Sequence, residues 1–348
     1  MTSASEISAA ATAPGRPSLP HRIIVRPEIG AALGAGLVFV FFSVTTDRFL
    51  SPLGISTWLD DASTLGIMAV AVSLLMIGGE FDLSAGVMTA STALVTGLLT
   101  VHAGWNVWGA LGVSLLFALA VGALNGWLVL RTGLPSFIVT LATFLALQGL
   151  NLGVTRLVTG TVQVSGIRSA PGYDSAGWVF AATTNLGQAR LQASVLWWLA
   201  ITVLAAILAT RTRFGNWIYA VGGAAASARA MGVPLARTKI VLFMGTAFAG
   251  WIVGSANLLR FASVQADQGV GLEFQYIIAA VVGGCLLTGG FGSVGGAALG
   301  ALIFGMARQG IVFARWDSDW FMLFLGVMLL AAVLVNTAFA ARAERLRR

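Results

Sequence analysis

Apolar residues fall in ten blocks along the chain, separated by short polar or glycine-rich segments. The blocks cover residues 29–46, 62–78, 83–101, 107–130, 135–155, 193–210, 240–259, 276–287, 293–313 and 320–337. A helix that crosses a membrane needs about 20 mostly apolar residues. The pattern therefore predicts an all-α polytopic bundle of about ten transmembrane helices. The eighth block is too short to cross a hydrocarbon layer of about 30 Å unless it extends backwards or is broken. Residues 156–192 form a polar segment long enough for a small external element, and residues 211–239 form a basic loop.

Composition strengthens the membrane reading. Of 348 residues, 57% are hydrophobic and 9% charged, against roughly 25% charged in soluble domains. So few charges cannot wrap a water-soluble surface of this size. The 43 glycines suit close helix approach in a membrane. The net charge of +7 does not point to nucleic acid, because the arginines lie between apolar blocks, where charge sets orientation. With both termini in the cytoplasm, thirteen of the twenty Lys and Arg residues fall inside and six outside. Arg308 lies within a span, one turn from its end, where snorkelling to the outer surface is expected. The domain reading is a disordered cytoplasmic tail over 1–28, a transmembrane domain over 29–338 and a basic cytoplasmic tail over 339–348. The first twenty residues lack the apolar stretch of a secretory signal. Trp58, Trp105, Trp108, Trp178 and Trp320 fall where aromatic rings anchor at the outer interface.

Catalytic and nucleotide-binding chemistry is sparse. The histidines are His21, in the basic tail, and His102, at the end of the third block; a Ser–His pair inside the membrane would have to use His102, and the glycine-rich stretch around Ser293 is neither a nucleophile elbow nor paired with an obvious base. The lone Cys285 permits no internal disulfide and no metal cluster. A phosphate-binding loop requires Gly-Lys-Ser/Thr, yet the single lysine, Lys239, follows Thr238. Energy from ATP would have to enter through another subunit.

Polar groups inside apolar blocks are the candidates for a solute pathway: Glu80, Asp82, Ser84, Asn125, Thr143, Gln148 and Asn151. Ionisable groups in a membrane line a cavity or make a pair. Two readings stand for Glu80 and Asp82. They sit at the cytoplasmic interface with Asp82 or Ser84 capping the third helix, or the glycine-rich turn dips inward and places them by the pathway. Asn125, Gln148 and Asn151 either bond between helices or replace the water lost by a hydroxyl-rich solute. Two stretches, Gly78-Gly79-Glu80-Phe81-Asp82-Leu83-Ser84-Ala85-Gly86 and Gly289-Gly290-Phe291-Gly292-Ser293-Val294-Gly295-Gly296, each join apolar blocks and open a helix near a serine. Paired glycine-interrupted segments point to a transport site.

At these residues the chain resembles the permease subunits of bacterial ribose-type monosaccharide ABC importers. Gly78-Gly79 with Asp82-Leu83-Ser84-Ala85-Gly86 is similar to the family's Gly-Gly-Ile-Asp-Leu-Ser-Val-Gly, with Glu80-Phe81 where one residue is usual. Leu134-Pro135-Ser136-Phe137-Ile138-Val139-Thr140-Leu141-Ala142-Thr143 is similar to its Pro-Ala-Phe-Ile-Val-Thr-Leu-Gly-Thr run. Residues 212–223 resemble the segment before the cytoplasmic coupling helix, and Ala228-Arg229-Ala230-Met231-Gly232-Val233 the helix itself. Ala224-Ala225-Ala226 stands where Asn-Glu-Glu is usual.

The resemblance implies a non-enzymatic transport subunit of the cell (inner) membrane that moves a small sugar. It implies coupling to the ATPase through Ala224, Ala228, Arg229, Met231 and Gly232. It also implies three protein partners besides lipid: an ATP-binding subunit that holds ATP and Mg2+, an external sugar-binding protein, and a second permease copy or close relative. No cofactor is expected on this chain. Permeases for nucleosides, polyols or branched-chain amino acids use related scaffolds. An ion-coupled transporter would need acidic groups deep in several spans, and only Glu80 and Asp82 are available.

Overall fold

The computed structural model describes residues 27–345. All ten apolar blocks are helical. In chain order the helices are α1 (Pro27–Thr45), α2 (Pro52–Ile77), α3 (Ala85–Val101), α4 (Val107–Thr132), α5 (Ser136–Thr159), α6 (Tyr173–Phe180), α7 (Ala193–Arg211), α8 (Arg213–Gly223), α9 (Ala225–Ala230), α10 (Leu235–Phe261), α11 (Leu272–Val282), α12 (Val294–Phe313) and α13 (Trp320–Arg345). Seven of these are long and apolar enough to cross a membrane: α1, α2, α4, α5, α7, α10 and α12. Three shorter apolar helices complete the set of ten blocks: α3, α11 and the apolar part of α13.

Boundaries moved where side chains find partners. Helix α2 begins ten residues before the apolar block, because Pro52 opens it and the Ser51 hydroxyl accepts from the Gly54 amide at 3.0 Å. Asp60 and Asp61 are therefore inside a helix. Helix α11 has 11 residues, about 16 Å at 1.5 Å per residue, so the short eighth block is a broken segment. Helix α13 continues to Arg345, beyond the expected end of the last span. The tail expected over 1–28 lies almost wholly outside the described residues, as does the end of the C-terminal one.

The polar segment after α5 holds most of the non-helical structure. Strand β1 (Gln163–Ser165) is followed by a 3-10 turn, α6 and a hairpin of β2 (Thr183–Leu186) and β3 (Ala189–Gln192). Strand β4 (Ser263–Gln265), just after α10, pairs antiparallel with β1, Val164 opposite Val264. The bundle is thus all-α with two small ribbons at one end, while α8 and α9 sit at the other.

Helices α2, α3, α10, α11 and α12 form the buried centre. Small residues set their spacing. A Cβ on Gly254 would stand 2.3 Å from the Thr89 carbonyl oxygen, on Gly305 2.4 Å from that of Trp58, and on Gly300 2.0 Å from that of Ala279. Backbones can approach this closely only where no side chain intervenes. Trp58 belongs to this centre rather than to an interface belt. It is buried, stacks on Phe49 at 5.7 Å and donates to the Phe49 carbonyl at 3.3 Å. Trp105, Trp108, Trp178 and Trp320 are exposed. Helices α1, α4, α5 and α7 show apolar outer faces, including Leu37, Leu116, Leu145 and Leu196.

Candidate functional site

The break between α2 and α3, residues 78–84, carries three of the predicted polar residues and is held from several sides. Gly78 ends α2, and Gly79 adopts a left-handed backbone, φ 84°. The Glu80 amide then returns to the Leu75 carbonyl at 3.1 Å. This double-glycine ending satisfies the last carbonyls of a buried helix, which have no water to turn to. The same three-bond ending recurs at α11: Gly283, Gly284 (φ 93°) and Cys285 donate to Ala279, Val281 and Ala280. Structurally, then, Gly78-Gly79 matches Gly283-Gly284. The sequence had paired it with Gly289-Gly290, because both stretches precede a serine that opens the next helix.

Asp82 is the centre of the break. It is buried, and its Oδ1 accepts from the Ser84 amide at 2.9 Å and the Ser84 hydroxyl at 2.6 Å. Its Oδ2 accepts from the Thr246 hydroxyl of α10 at 2.7 Å. Asn125 of α4 donates to Ser84 Oγ at 3.0 Å, and Thr143 of α5 donates to Asn125 Oδ1 at 2.7 Å. Four predicted residues, Asp82, Ser84, Asn125 and Thr143, thus form one chain of bonds that ties the break to α4 and α5, with Thr246 adding α10. Helix α5 also serves the broken backbone directly. Ser136 Oγ accepts from the Phe81 amide at 2.9 Å, and Thr140 Oγ1 from the Leu83 amide at 3.1 Å. Leaving such amides unpaired would cost about 1–3 kcal/mol each. Both readings offered for Asp82 contain part of the geometry. It does satisfy an amide at the start of α3, and Glu80, Asp82 and Ser84 are buried while Gly79 is exposed.

Glu80 is set apart from this network. Its carboxylate pairs with Lys239, at the start of α10. Gln148 and Asn151 also lie outside it, farther along α5. Ser136, Thr140, Thr143, Gln148, Asn151, Thr155 and Thr159 recur every three to five residues, one strip along the helix. Toward the ribbon end of the strip, Asn151 Nδ2 and Thr155 Oγ1 are buried with no partner among the described residues.

Sequence reasoning missed Ser136, Thr140, Thr155, Thr246 and Lys239. The four-residue rhythm of hydroxyls in the fifth block could have revealed the α5 members. The isolation of the single lysine could have flagged Lys239. Nothing local marks Thr246 as a partner of Asp82, 164 residues away.

The loop 211–239 contains two helices. Thr212 caps α8 by accepting from the Gly215 amide at 3.1 Å. Tyr219 donates to the Gly292 carbonyl at 3.1 Å, and burial pushes its hydroxyl pKa up, which keeps the donor protonated. Gly222, near the end of α8, touches both glycine-rich breaks. A Cβ there would lie 1.8 Å from the Ile77 carbonyl oxygen and 2.7 Å from the Gly290 amide nitrogen, and those two atoms bond each other at 2.8 Å. The six-residue α9 follows. Ala228 is buried, whereas Ala224, Arg229, Met231 and Gly232 are exposed, Met231 at 74%. Arg308 does not merely snorkel: it donates to Gln275 at 2.7 Å and lies 4.9 Å over the Phe321 ring.

A bundle with seven helices of membrane-spanning length and apolarity, broken at two glycine-rich segments on which a short helix pair docks, fits a membrane transport subunit. The comparisons agree. The chain matches the family described as the branched-chain amino acid transport system permease component over residues 54–333, and it belongs to that family. It is 31% identical to the xylose transport system permease protein XylH of Escherichia coli strain K12, across 88% of this chain and 90% of that one. It is 29% identical to the ribose import permease protein RbsC of the same strain, across 86% and 90%. It is 33% identical to the inner membrane ABC transporter permease protein YjfF, across 81% and 82%. No solved structure matches. The chain is accordingly a multi-pass membrane protein and the permease component of an ABC transporter, a transport subunit rather than an enzyme.

Proposed function

We propose that this permease imports a small neutral sugar, handed to it by an external binding protein and driven by a separate ATP-binding subunit that carries ATP and Mg2+. The observation that carries the solute class is the α5 strip. Its groups are uncharged hydroxyls and amides, and Asn151 Nδ2 and Thr155 Oγ1 are buried without partners. A buried donor or acceptor left unpaired is costly, and a polyhydroxylated solute supplies complementary groups. The relatives named for xylose and ribose support the same class. Gln148 and Asn151 belong to this pathway. Asp82, Ser84, Asn125 and Thr143 hold the broken segment beside it, and Glu80 acts at its end.

The α8–α9 end faces the cytoplasm, with both termini on that side, as the distribution of basic residues favours. Helix α9 and the exposed Met231 form the contact for the ATPase, with Ala224, Arg229 and Gly232 beside it and Ala228 seating the helix. Two permease copies face each other across the pathway, each with lipid on its remaining outer faces.

A second reading, a branched-chain amino acid permease, is favoured by the family's description. Charged side chains are one way to replace the water lost by a zwitterionic solute. On α5 the strip has none, and the Asp82 carboxylate is already saturated by Ser84 and Thr246.

The test is reconstitution of the chain with its ATPase in vesicles. Loaded binding protein should accelerate ATP hydrolysis and drive uptake of a pentose or hexose. Hydrolysis indifferent to the binding protein, or uptake of leucine in preference to sugars, would refute the proposal.

A further inference from the structure

Among the described residues there are two ion pairs, and both join α10 to α2 or to the break that follows it. Lys239, at the start of α10, meets Glu80, just after α2. Arg260, at the end of α10, meets Asp60, near the start of α2, at 2.6 Å. The helices run antiparallel. Between Asp60-Asp61 and Glu80 the chain carries no charged residue, nor does α10 between Lys239 and Arg260. Lys239 and Arg260 are 21 positions apart, about 32 Å along a helix, close to the hydrocarbon thickness of about 30 Å. One pair therefore closes each end of a single helix–helix contact.

The pairs differ from the Asp82 network in one physical respect. Lys239 is 19% exposed and Arg260 33%, against 8% and 10% for their carboxylates. Each cation is partly exposed at an end of a helix of membrane-spanning length, where a separated charge can reach the interface and be hydrated. Asp82 has no such access, and separating it from its donors would strand a buried carboxylate. Each pair is also tied to a further element of the fold. Lys239 lies in the first turns of the helix that follows α9, and Glu80 is on the break that Gly222 supports. At the other end Asp60 Oδ1 accepts from Ser194 of α7 at 3.0 Å, and Ser194 in turn bonds Ser63 at 2.8 Å.

Resting on the permease reading above, we propose that Glu80–Lys239 and Asp60–Arg260 are the two latches of the α2–α10 contact, both closed in this structure and opened one at a time during transport. A ligand or partner can shift such an equilibrium only through contacts that differ between states. The nucleotide-driven subunit acts on the Lys239 end, and the loaded binding protein on the Arg260 end.

The assay uses the assembled transporter in vesicles, starting from a wild-type preparation whose hydrolysis responds to binding protein. If that response is absent, the permease reading fails before the latches are examined. On a responsive assembly, Glu80→Gln and Arg260→Gln should each lower solute moved per ATP hydrolysed at least fivefold. The reversal Glu80→Lys with Lys239→Glu should restore the ratio to within twofold. A structural brace predicts something else: uptake and hydrolysis falling together with an unchanged ratio, which would overturn the proposal. A second arm does not depend on those variants folding. In a Cys285→Ala background, Glu80→Cys with Lys239→Cys is bridged by a short bifunctional thiol reagent with a reducible linker. Bridging should stop uptake and reduction should restore it. Undiminished uptake by the bridged transporter would overturn the latch.

Discussion

Gly222→Ala is the sharpest perturbation of the glycine junction, because its neighbour supplies the control. The added methyl would lie 1.8 Å from the Ile77 carbonyl oxygen and 2.7 Å from the Gly290 amide nitrogen. Both obstacles are backbone, so no side chain can swing aside. Overpacking of this kind costs about 1–3 kcal/mol. Disruption of the Ile77–Gly290 bond, 2.8 Å long, adds about 0.5–1.5 kcal/mol. Helix propensity works the other way, since alanine is favoured over glycine by about 1 kcal/mol. The expected net loss is about 1–3 kcal/mol. At Gly223 a Cβ would find Gly290 Cα no nearer than 3.9 Å. Gly223→Ala should therefore be neutral or stabilising by up to about 1 kcal/mol. Unfolding titrations of the two variants in detergent, followed by helical circular dichroism, give the comparison. Shifts of the same sign and similar size would refute the claim that three backbones meet at Gly222. The function should follow the same order, with Gly222→Ala losing uptake per ATP and Gly223→Ala keeping it, because the junction joins the α8–α9 pair to both breaks.

Other outcomes follow from the remaining contacts. Asp82→Ala removes the acceptor for Ser84 and Thr246 and should cost about 2–4 kcal/mol, judged from charge-assisted bonds of about 1.5–3 kcal/mol each that do not add fully; the same detergent titration measures it, and Asp82→Asn should cost less. Asn151→Leu with Thr155→Val replaces unpartnered polar atoms by apolar ones, so stability should stay within about 1 kcal/mol of the parent or rise, while uptake falls at least about tenfold, the equivalent of about 1.4 kcal/mol. A parallel loss of stability and uptake would show that these groups serve packing alone. Met231→Asp changes an exposed side chain and should leave stability within about 0.5 kcal/mol, yet weaken co-purification of the ATP-binding subunit about tenfold; unchanged recovery of that subunit would remove Met231 from the contact.

Much of this protein could be read in one dimension. Ten apolar blocks became ten helices because, without water, a backbone can satisfy its amides only within the segment itself. The eighth block was visibly too short, and the glycine pairs marked where helices break. Asp82, Ser84, Asn125 and Thr143 stood out as polar groups in apolar surroundings, a signal that needs no neighbour to be seen. What joins them is another matter. Thr246 and Ser136 look like ordinary hydroxyls in apolar helices until folding carries them to Asp82 and Phe81. Asp60 and Arg260 lie 200 positions apart, and nothing in either segment names its partner. The matching of Gly78-Gly79 to Gly283-Gly284 was likewise hidden, because sequence compares residue types whereas the equivalence lies in three backbone bonds. The chain by itself determined which segments must be helices and which polar groups must be explained, since those depend on local hydropathy. Only the tertiary structure decided which group answers which, because a buried charge or amide is satisfied by whatever lies nearest in space, and in a packed bundle that neighbour comes from a distant part of the chain.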